Sequence, residues 1–245
     1  MGGIAASASD DQGVLGVDFV VDDALASTDT TAPYLYSWDT GNLSNGSHRL
    51  SARAYDAAGN VEVSQTVTVT VSNAVGTAVY DAILKAPRCG SAGSSCDSGT
   101  LLNGRGTIGP EPNQPNILYN SCSDGSSGRY HVDESSDRIL LSTVDGGFLT
   151  AGKAMRVDVT VWAYSSYASD KLDLYYASNA SSPSWVFMTT LSPTRAGAQT
   201  LTTTWTLSSG ALQAVRARFR YGGSPASCGA GSYNDQDDLV FAVNP

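Results

Sequence analysis

The chain has 245 residues, enough for two small domains or one large all-β domain with a real core. Its 25 glycines and 12 tyrosines, with abundant Ser, Thr and Val and no sustained i, i+3, i+4 apolar spacing, predict almost no helix. The formal charge of −9 divides into nine acids against two arginines over residues 1–73 and fourteen acids against twelve basic residues over 74–245. Neither half offers the basic surface that draws phosphate backbones, so no nucleic-acid partner is expected. No apolar run has the length of a membrane span and no leader peptide is visible, so no membrane contact is expected either. Met1-Gly2-Gly3 runs straight into a strand-like Ile4–Ala8, which predicts a fragment of a longer secreted protein.

Val17, Phe19 and Val21 alternate with Gly16, Asp18 and Val20, the two-residue period of a half-buried strand. Asp22-Asp23 turns the chain and Ala24-Leu25-Ala26 starts the return. Tyr34 to Asp39 predicts another strand, Asn45-Gly46-Ser47 a turn, and Leu50, Ala52 and Ala54 the inward set of a further strand. Asp56 to Asn60 turns again, and Val67, Val69 and Val71 close the unit. Turn signals spaced about ten residues apart belong to an antiparallel sandwich.

The segments VDFVVDDALASTDTTAPYLYSWDT, NGSHRLSARAYDAAGN and VTVTVSN resemble the bacterial immunoglobulin-like repeats found beside catalytic domains in secreted bacterial hydrolases, over residues 4–73. That family begins with a further strand carrying an SP-x-x-G segment, absent here, so the Ig-like unit, placed at 1–73, is expected to lack its first edge. Asp10, Asp11, Asp22, Asp23 and Asp29 are read as solvated turns, and His48 as structural or surface.

Asn73 to Thr77 is read as a connector with room for a hinge, followed by a second domain at 78–245 that opens with a strand at Val79, Asp81 and Ile83. From Pro87 to Arg129, through Ile108 to Asn116, the chain is rich in Gly, Ser, Pro and Asn, a long loop that must be pinned or functional. The four cysteines, Cys89, Cys96, Cys122 and Cys228, lack Cys-x-x-Cys spacing and histidine company, which disfavours zinc and favours disulfides in an oxidising, extracellular compartment. Three pairings are open; the favoured one joins Cys89 to Cys96 and Cys122 to Cys228.

Strands follow around Ile139 and Leu141; Val157, Val159 and Val161; Leu172, Leu174 and Tyr176; and over 185–191, 200–207, 214–221 and 239–243, about eight in all, enough for a jelly-roll-type sandwich. In the strand from Ala214, inward Val215, Ala217, Phe219 and Tyr221 leave Arg216, Arg218 and Arg220 on the opposite face. If that strand neighbours the one bearing Asp158, Thr160, Trp162 and Tyr164, guanidinium groups would stand beside aromatic rings, with Tyr175 near by, as on a surface that binds polysaccharide. The bland alternative is a charge ladder covering the sheet. Asp133 and Glu134 precede one strand, and Asp235, Asp237 and Asp238 are placed before the last. Two acidic segments meeting at a sandwich edge would supply the oxygens of a structural Ca²⁺ site; without a cation, Arg138 or Arg129 would have to neutralise them.

RCGSAGSSCDSGTLLNGRGTIGPEPNQPN, YHVDESSDRI, SDKLDLYYASNASSPSWVFM, LQAVRARFRY and GSYNDQDDLVFAV resemble, more weakly, a C-terminal accessory domain of secreted bacterial peptidases and related hydrolases. The ending also resembles galactose-binding-like jelly rolls, in which an Asp on or before the last strand helps hold Ca²⁺; the resemblance carries over only the acids of 235–238. No Gly-x-Ser-x-Gly elbow occurs. Cys96-Asp97-Ser98-Gly99-Thr100 resembles only faintly the Asp-Ser-Gly loop of trypsin-like proteases, since Cys96 and Thr100 stand where that loop has glycines. His131, the sole histidine of this half, has Asp133 near by, and a paired-carboxylate glycosidase would use Glu134 with Asp237. The expectation is an all-β chain, an Ig-like sandwich followed by a jelly-roll-type, galactose-binding-like sandwich, without catalysis. It would serve a parent catalytic domain by binding an insoluble protein or polysaccharide, the alternative being a spacer and stabilising cap with no ligand.

Overall fold

The computed structural model describes residues 2–40, 43, 46–71, 75–105, 109–229 and 231–245. Asn45, Asn73, Ala74 and Ile108, used above for a turn, a connector and a loop, lie outside the described residues. The chain divides into two compact units, Met1–Asn73 and Ala74–Pro245. Apart from two single 3-10 turns at Leu118–Asn120 and Tyr167–Ser169, all regular structure among the described residues is β.

The first unit consists of β1 (Gly2–Ala6), β2 (Val14–Val21), β3 (Ala24–Asp29), β4 (Tyr34–Trp38), β5 (Gly46–Asp56), β6 (Val61–Val63) and β7 (Val67–Val71). One layer runs β3-β2-β5-β6, with β7 also pairing β5, and the other is the antiparallel pair β1 and β4. Alternation on β2 sends Val17, Phe19 and Val21 inward, where they meet Tyr34 and Trp38 of β4 and Val71 of β7. Asp18, on the other face, accepts from Arg53 at 2.6 Å and from Thr28 at 2.7 Å. His48 is buried against Asp22, its Nδ1 2.6 Å from Oδ2, and Asp29 caps the turn before β4 by accepting from the backbone N–H of Thr31 and Leu35. These acids organise turns and strands.

The second unit has eleven strands: β8 (Val75–Thr77), β9 (Val79–Asp81), β10 (Ala86–Cys89), β11 (Ser95–Asp97), β12 (Ser135–Thr143), β13 (Ala154–Ala163), β14 (Asp170–Ala177), β15 (Val186–Leu191), β16 (Gly197–Thr206), β17 (Leu212–Tyr221) and β18 (Asp235–Ala242). They form a six-stranded sheet, β15-β14-β17-β18-β10-β9, and a five-stranded sheet, β16-β13-β12-β11-β8. Between the sheets lies the core. Ile139 and Leu141 on β12, Val157, Val159 and Val161 on β13, Leu172, Leu174 and Tyr176 on β14, Val215, Ala217 and Phe219 on β17, and Leu239 and Phe241 on β18 are all buried there. Each fully buried side chain of this kind contributes about 1.5–3 kcal/mol.

Three expectations need correction. Val75–Thr77, read as part of the connector, is a strand, paired in parallel with Ser95–Asp97 at the edge of the five-stranded sheet. Tyr221 does not point into the core: it ends β17 and is 52 % exposed. The acids of 235–238 do not precede the last strand. β18 begins at Asp235, and Asp235 to Asp238 pair in register with Phe219 back to Arg216. Charged residues read as a loop because burying a carboxylate is costly without a partner; Asp238 finds its partners in Arg216 and the Leu118 N–H, and Asp235 in the Ser136 N–H.

The long loop is pinned by the favoured disulfide pairing, Cys89–Cys96 and Cys122–Cys228. The two bridges close spans of 7 and 106 residues. In the chain-entropy treatment they stabilise by about 2 and about 5 kcal/mol. Urea unfolding of C122S/C228S should therefore lose roughly twice the stability lost by C89S/C96S; an equal or smaller loss would show that the loop is held by its hydrogen bonds alone.

Candidate functional site

Side chains alternate across β18, so its acidic N-terminal half serves two environments. Gln236 and Asp238 face the outer side of the six-stranded sheet with Arg216 and Arg218, their cross-strand partners. Asp235 and Asp237 face the interior, in line with Leu239 and Phe241.

The outer face is a sealed ionic layer. Arg216 and Asp238 form a fork, Nε to Oδ1 at 2.7 Å and Nη2 to Oδ2 at 2.8 Å, with both side chains almost wholly buried. The remaining capacity is used: Arg216 donates to the Ser227 carbonyl and to Ser121 Oγ, the Leu118 N–H donates to Asp238 Oδ2, and the guanidinium lies 4.2 Å from the Trp185 ring centroid. Arg220 donates from Nε to Asp173 Oδ2 at 2.6 Å and from Nη2 to Oδ1 at 3.1 Å. Arg218 lies 3.6 Å from the same carboxylate and donates to the Ser224 and Ala226 carbonyls. Burial pulls the Arg218 guanidinium below its ordinary value, and Asp173 opposes that pull. Tyr175, opposite Arg216 on β14, is buried edge-to-face with Phe187.

This arrangement corrects the expected polysaccharide face. Arg216, Arg218 and Arg220 do lie opposite the core-facing side chains, but they are 1 %, 6 % and 3 % exposed, covered by the segments around Leu118 and Ser227. The strand bearing Trp162 and Tyr164 belongs to the other sheet, since β17 pairs with β14 and β18 while β13 pairs with β12 and β16. Trp162 therefore stands on a different sheet from the arginines, and Tyr164, just past the end of β13, bonds through its N–H to Asp170. Trp162 instead stacks on His131, centroids 4.4 Å apart, and His131 stacks on Tyr130 at 3.8 Å. His131 Nε2 lies 2.8 Å from Asp137 rather than beside Asp133, and buried Ser98 Oγ accepts from the Ile139 N–H.

On the inner face the acids separate into two groups. Glu134 interacts with Asp170, while Asp133 accepts from the Arg129 N–H. Asp235 and Asp237 instead lie with Glu111 and Asp124, contributed by the long loop. The expected set of Asp133, Glu134, Asp235, Asp237 and Asp238 is thus divided: Asp238 is neutralised by Arg216, and Asp133 and Glu134 belong to another group. Glu111 and Asp124 carried no sequence signal, because their approach depends on the path of the loop. Gly104, at φ +146°, permits it, since a Cβ there would sit 2.7 Å from the Glu111 nitrogen. Asp124 Oδ1 accepts from the Gln236 N–H at 2.9 Å, and the Asn116 carboxamide donates to the Leu101 carbonyl and to Glu111 Oε1.

The electrostatics of this inner group are unfavourable as it stands. Both oxygens of Asp237, Oδ1 of Asp235, Oδ2 of Asp124 and Oδ1 of Asn116 are buried without a hydrogen-bond partner. Burial first, and neighbouring carboxylates second, push Asp235 and Asp237 well above the usual carboxylate range and Asp124 up to about 8. Arg105 opposes the shift at Asp235 and Asp124, but its guanidinium donates to the Glu134, Tyr233 and Ser127 carbonyls. Arg138, considered above as a counter-ion, pairs with Asp97 at 2.7 Å. Among the described residues, no three Asp, Glu, His or Cys side chains stand in a ready-made metal-ligand arrangement.

A protein-family model described as Bacterial Ig domain matches residues 3–52, within the first unit. No curated protein matches the chain. Among solved structures, the fibronectin(III)-like modules of Clostridium thermocellum CbhA align over 99 % of this chain and 84 % of that one, at 11 % identity and a TM-score of 0.27. A TM-score that low leaves the fold resting on the strand pairing described above.

The ionic layer makes a direct prediction. Asp238→Asn leaves Arg216 buried without its counter-charge and should cost about 3–5 kcal/mol in urea unfolding, whereas replacing the pair with Arg216→Met and Asp238→Leu should recover most of that loss. A loss below about 1 kcal/mol for Asp238→Asn would mean that the pair is solvated.

Proposed function

We propose that this chain is a non-catalytic accessory region of a secreted bacterial hydrolase, with a peptidase as the favoured parent, and that it acts as a spacer and stabilising cap whose second unit is held by a structural Ca²⁺. The Ig-like sandwich of the first unit and the two disulfides of the second support an accessory module that works in an oxidising compartment. The hydrolase parent is taken from the sequence resemblance of the second half. Burial of the three arginines favours the cap over the polysaccharide-binding reading, because the charged groups that would contact sugar are spent inside the fold.

The observation that carries the cation is Asp237, 1 % exposed with neither oxygen hydrogen-bonded, facing the buried carboxylates of Asp235, Asp124 and Glu111. Ca²⁺ takes six to eight oxygens from carboxylates and carbonyls. Glu111, Asp124, Asp235, Asp237 and the Asn116 Oδ1 atom would hold it. A hard cation would give the orphaned oxygens of Asp235, Asp237 and Asp124 a partner, tying the long loop to β18 and the core.

The sign of the pH dependence follows. Asp124 and its neighbours bind protons more tightly folded than unfolded, so between the unfolded value near 3.8 and the folded value of about 8 the native state carries more protons. Stability without a cation must then fall as pH rises across that window. In chelator, the melting temperature should drop from about pH 5 to about pH 8 as far as these groups dominate, and Ca²⁺ should remove the drop, raising stability most at the alkaline end. Asp237→Asn should abolish the Ca²⁺ response. A melt unchanged by chelator at both pH values would count against the site, and retention of the chain on insoluble protein or polysaccharide would count against the cap.

A further inference from the structure

A second feature of the same unit is independent of the cation group. Beside Glu134 lies a hollow of about 230 Å³ lined by Asp133, Glu134, Tyr164, Tyr221 and Tyr233. Its base is Glu134, 3 % exposed, whose Oε2 lacks a hydrogen-bond donor; behind it, fully buried, lies the carboxyl of Asp170, with which Glu134 interacts. Its rim is aromatic: Tyr221 and Tyr233 are 52 % and 41 % exposed, their ring centroids 6.5 Å apart and nearly perpendicular.

The walls are fixed by the fold. Tyr221 stands opposite Asp170 in the β14–β17 register, and the Tyr164 N–H donates to Asp170 Oδ2 at 3.0 Å. Buried Arg105 joins the two walls, its Nη1 donating to the carbonyls of both Glu134 and Tyr233 at 3.0 Å. Arg105 and Lys171 are the cations bonded to this framework, and both spend their donors on backbone carbonyls, Lys171 on those of Ala168 and Asp170. Lys171 acts on Asp170 through its field, and Glu134 faces the tyrosines with no side-chain ion pair among the described residues.

We propose that this hollow binds an alkylammonium group the size of a lysine side-chain head, with the ammonium on Glu134 and the methylenes against Tyr164, Tyr221 and Tyr233. Aromatic faces attract organic cations through the ring quadrupole, and a carboxylate beneath them adds a charge-assisted hydrogen bond. The volume is below the range of ordinary small-molecule pockets, so a head group fits better than a whole sugar ring with its hydroxyl contacts. A hard metal ion is disfavoured by the aromatic rim, since Ca²⁺ seeks oxygen on every side. Burial, with Asp170 next, pushes the Glu134 carboxyl up to about 7, and an ammonium seated on it would favour its ionised form.

The test is a titration of the whole chain, held in constant excess Ca²⁺, with butylammonium, followed by amide chemical shifts in two-dimensional NMR at about pH 8, above the Glu134 value. Millimolar butylammonium should shift the amides of Tyr164, Tyr221, Tyr233 and Asp170, while butanol, its neutral counterpart, should not. Because the rings of Tyr221 and Tyr233 are exposed, Tyr221→Ala and Tyr233→Ala should keep the fold and weaken binding by about tenfold or more; Glu134→Gln should do the same. No localised shift with butylammonium, an equal shift with butanol or glucose, or binding unaffected by losing both rings would each overturn the assignment. A failed Ca²⁺ response would leave this result standing, since the two sites share no proposed ligand.

Discussion

The second unit is organised by the bidentate contact between Arg216 and Asp238, buried on a face of the sheet that ordinarily meets water. Strands β17 and β18 are covered on both sides, by the other sheet's aliphatic residues on one and by irregular chain on the other. An antiparallel sheet with one wet face tolerates alternating polar residues at little cost. Once that face is covered, polar groups need partners from the protein, and Arg216 and Arg220 find them in forks to aspartate and in loop carbonyls. The loop is thereby attached through its backbone: Leu118 donates to Asp238, and Ser227 accepts from Arg216.

The same constraint explains the inner acids. A strand alternating charged and apolar residues would normally be half solvated. Here Asp235 and Asp237 continue the row of Leu239 and Phe241 into the space between sheets, where the loop adds Glu111 and Asp124. On the outer face, charge is balanced by arginine; on the inner face, Arg105 directs its donors to carbonyls instead. That asymmetry between two sides of one strand is the physical basis for placing a cation on the inner side.

Much of the fold was legible because burial and periodicity coincide. Val157, Val159 and Val161, and Leu172, Leu174 and Tyr176, read as alternating strands and are buried as such. Val17, Phe19 and Val21 did the same for the first unit. The strands β8, β10 and β11 were not legible, since segments as short as Ser95–Asp97 carry no period and owe their conformation to their neighbours. The site was legible as chemistry and misplaced as geometry. The arginine stripe was correctly assigned to one face, yet alternation says nothing about what lies on top of it. Which strands become neighbours is likewise absent from local pattern, so Trp162 was joined to arginines that lie on a different sheet. Asp237 was one of five acids named for the cation, whereas Glu111 and Asp124 reach it through a long loop whose path no spacing rule predicts.

In the proposed function, the inner carboxylates of β18 and the loop hold a cation. Elemental analysis by mass spectrometry measures this most directly, on chain exposed to Ca²⁺ and then dialysed exhaustively into metal-free buffer. The account predicts about one calcium per chain, and none in Asp237→Asn prepared in parallel. Wild-type chain that retains no calcium while remaining folded, or a variant that retains as much as wild type, would contradict it.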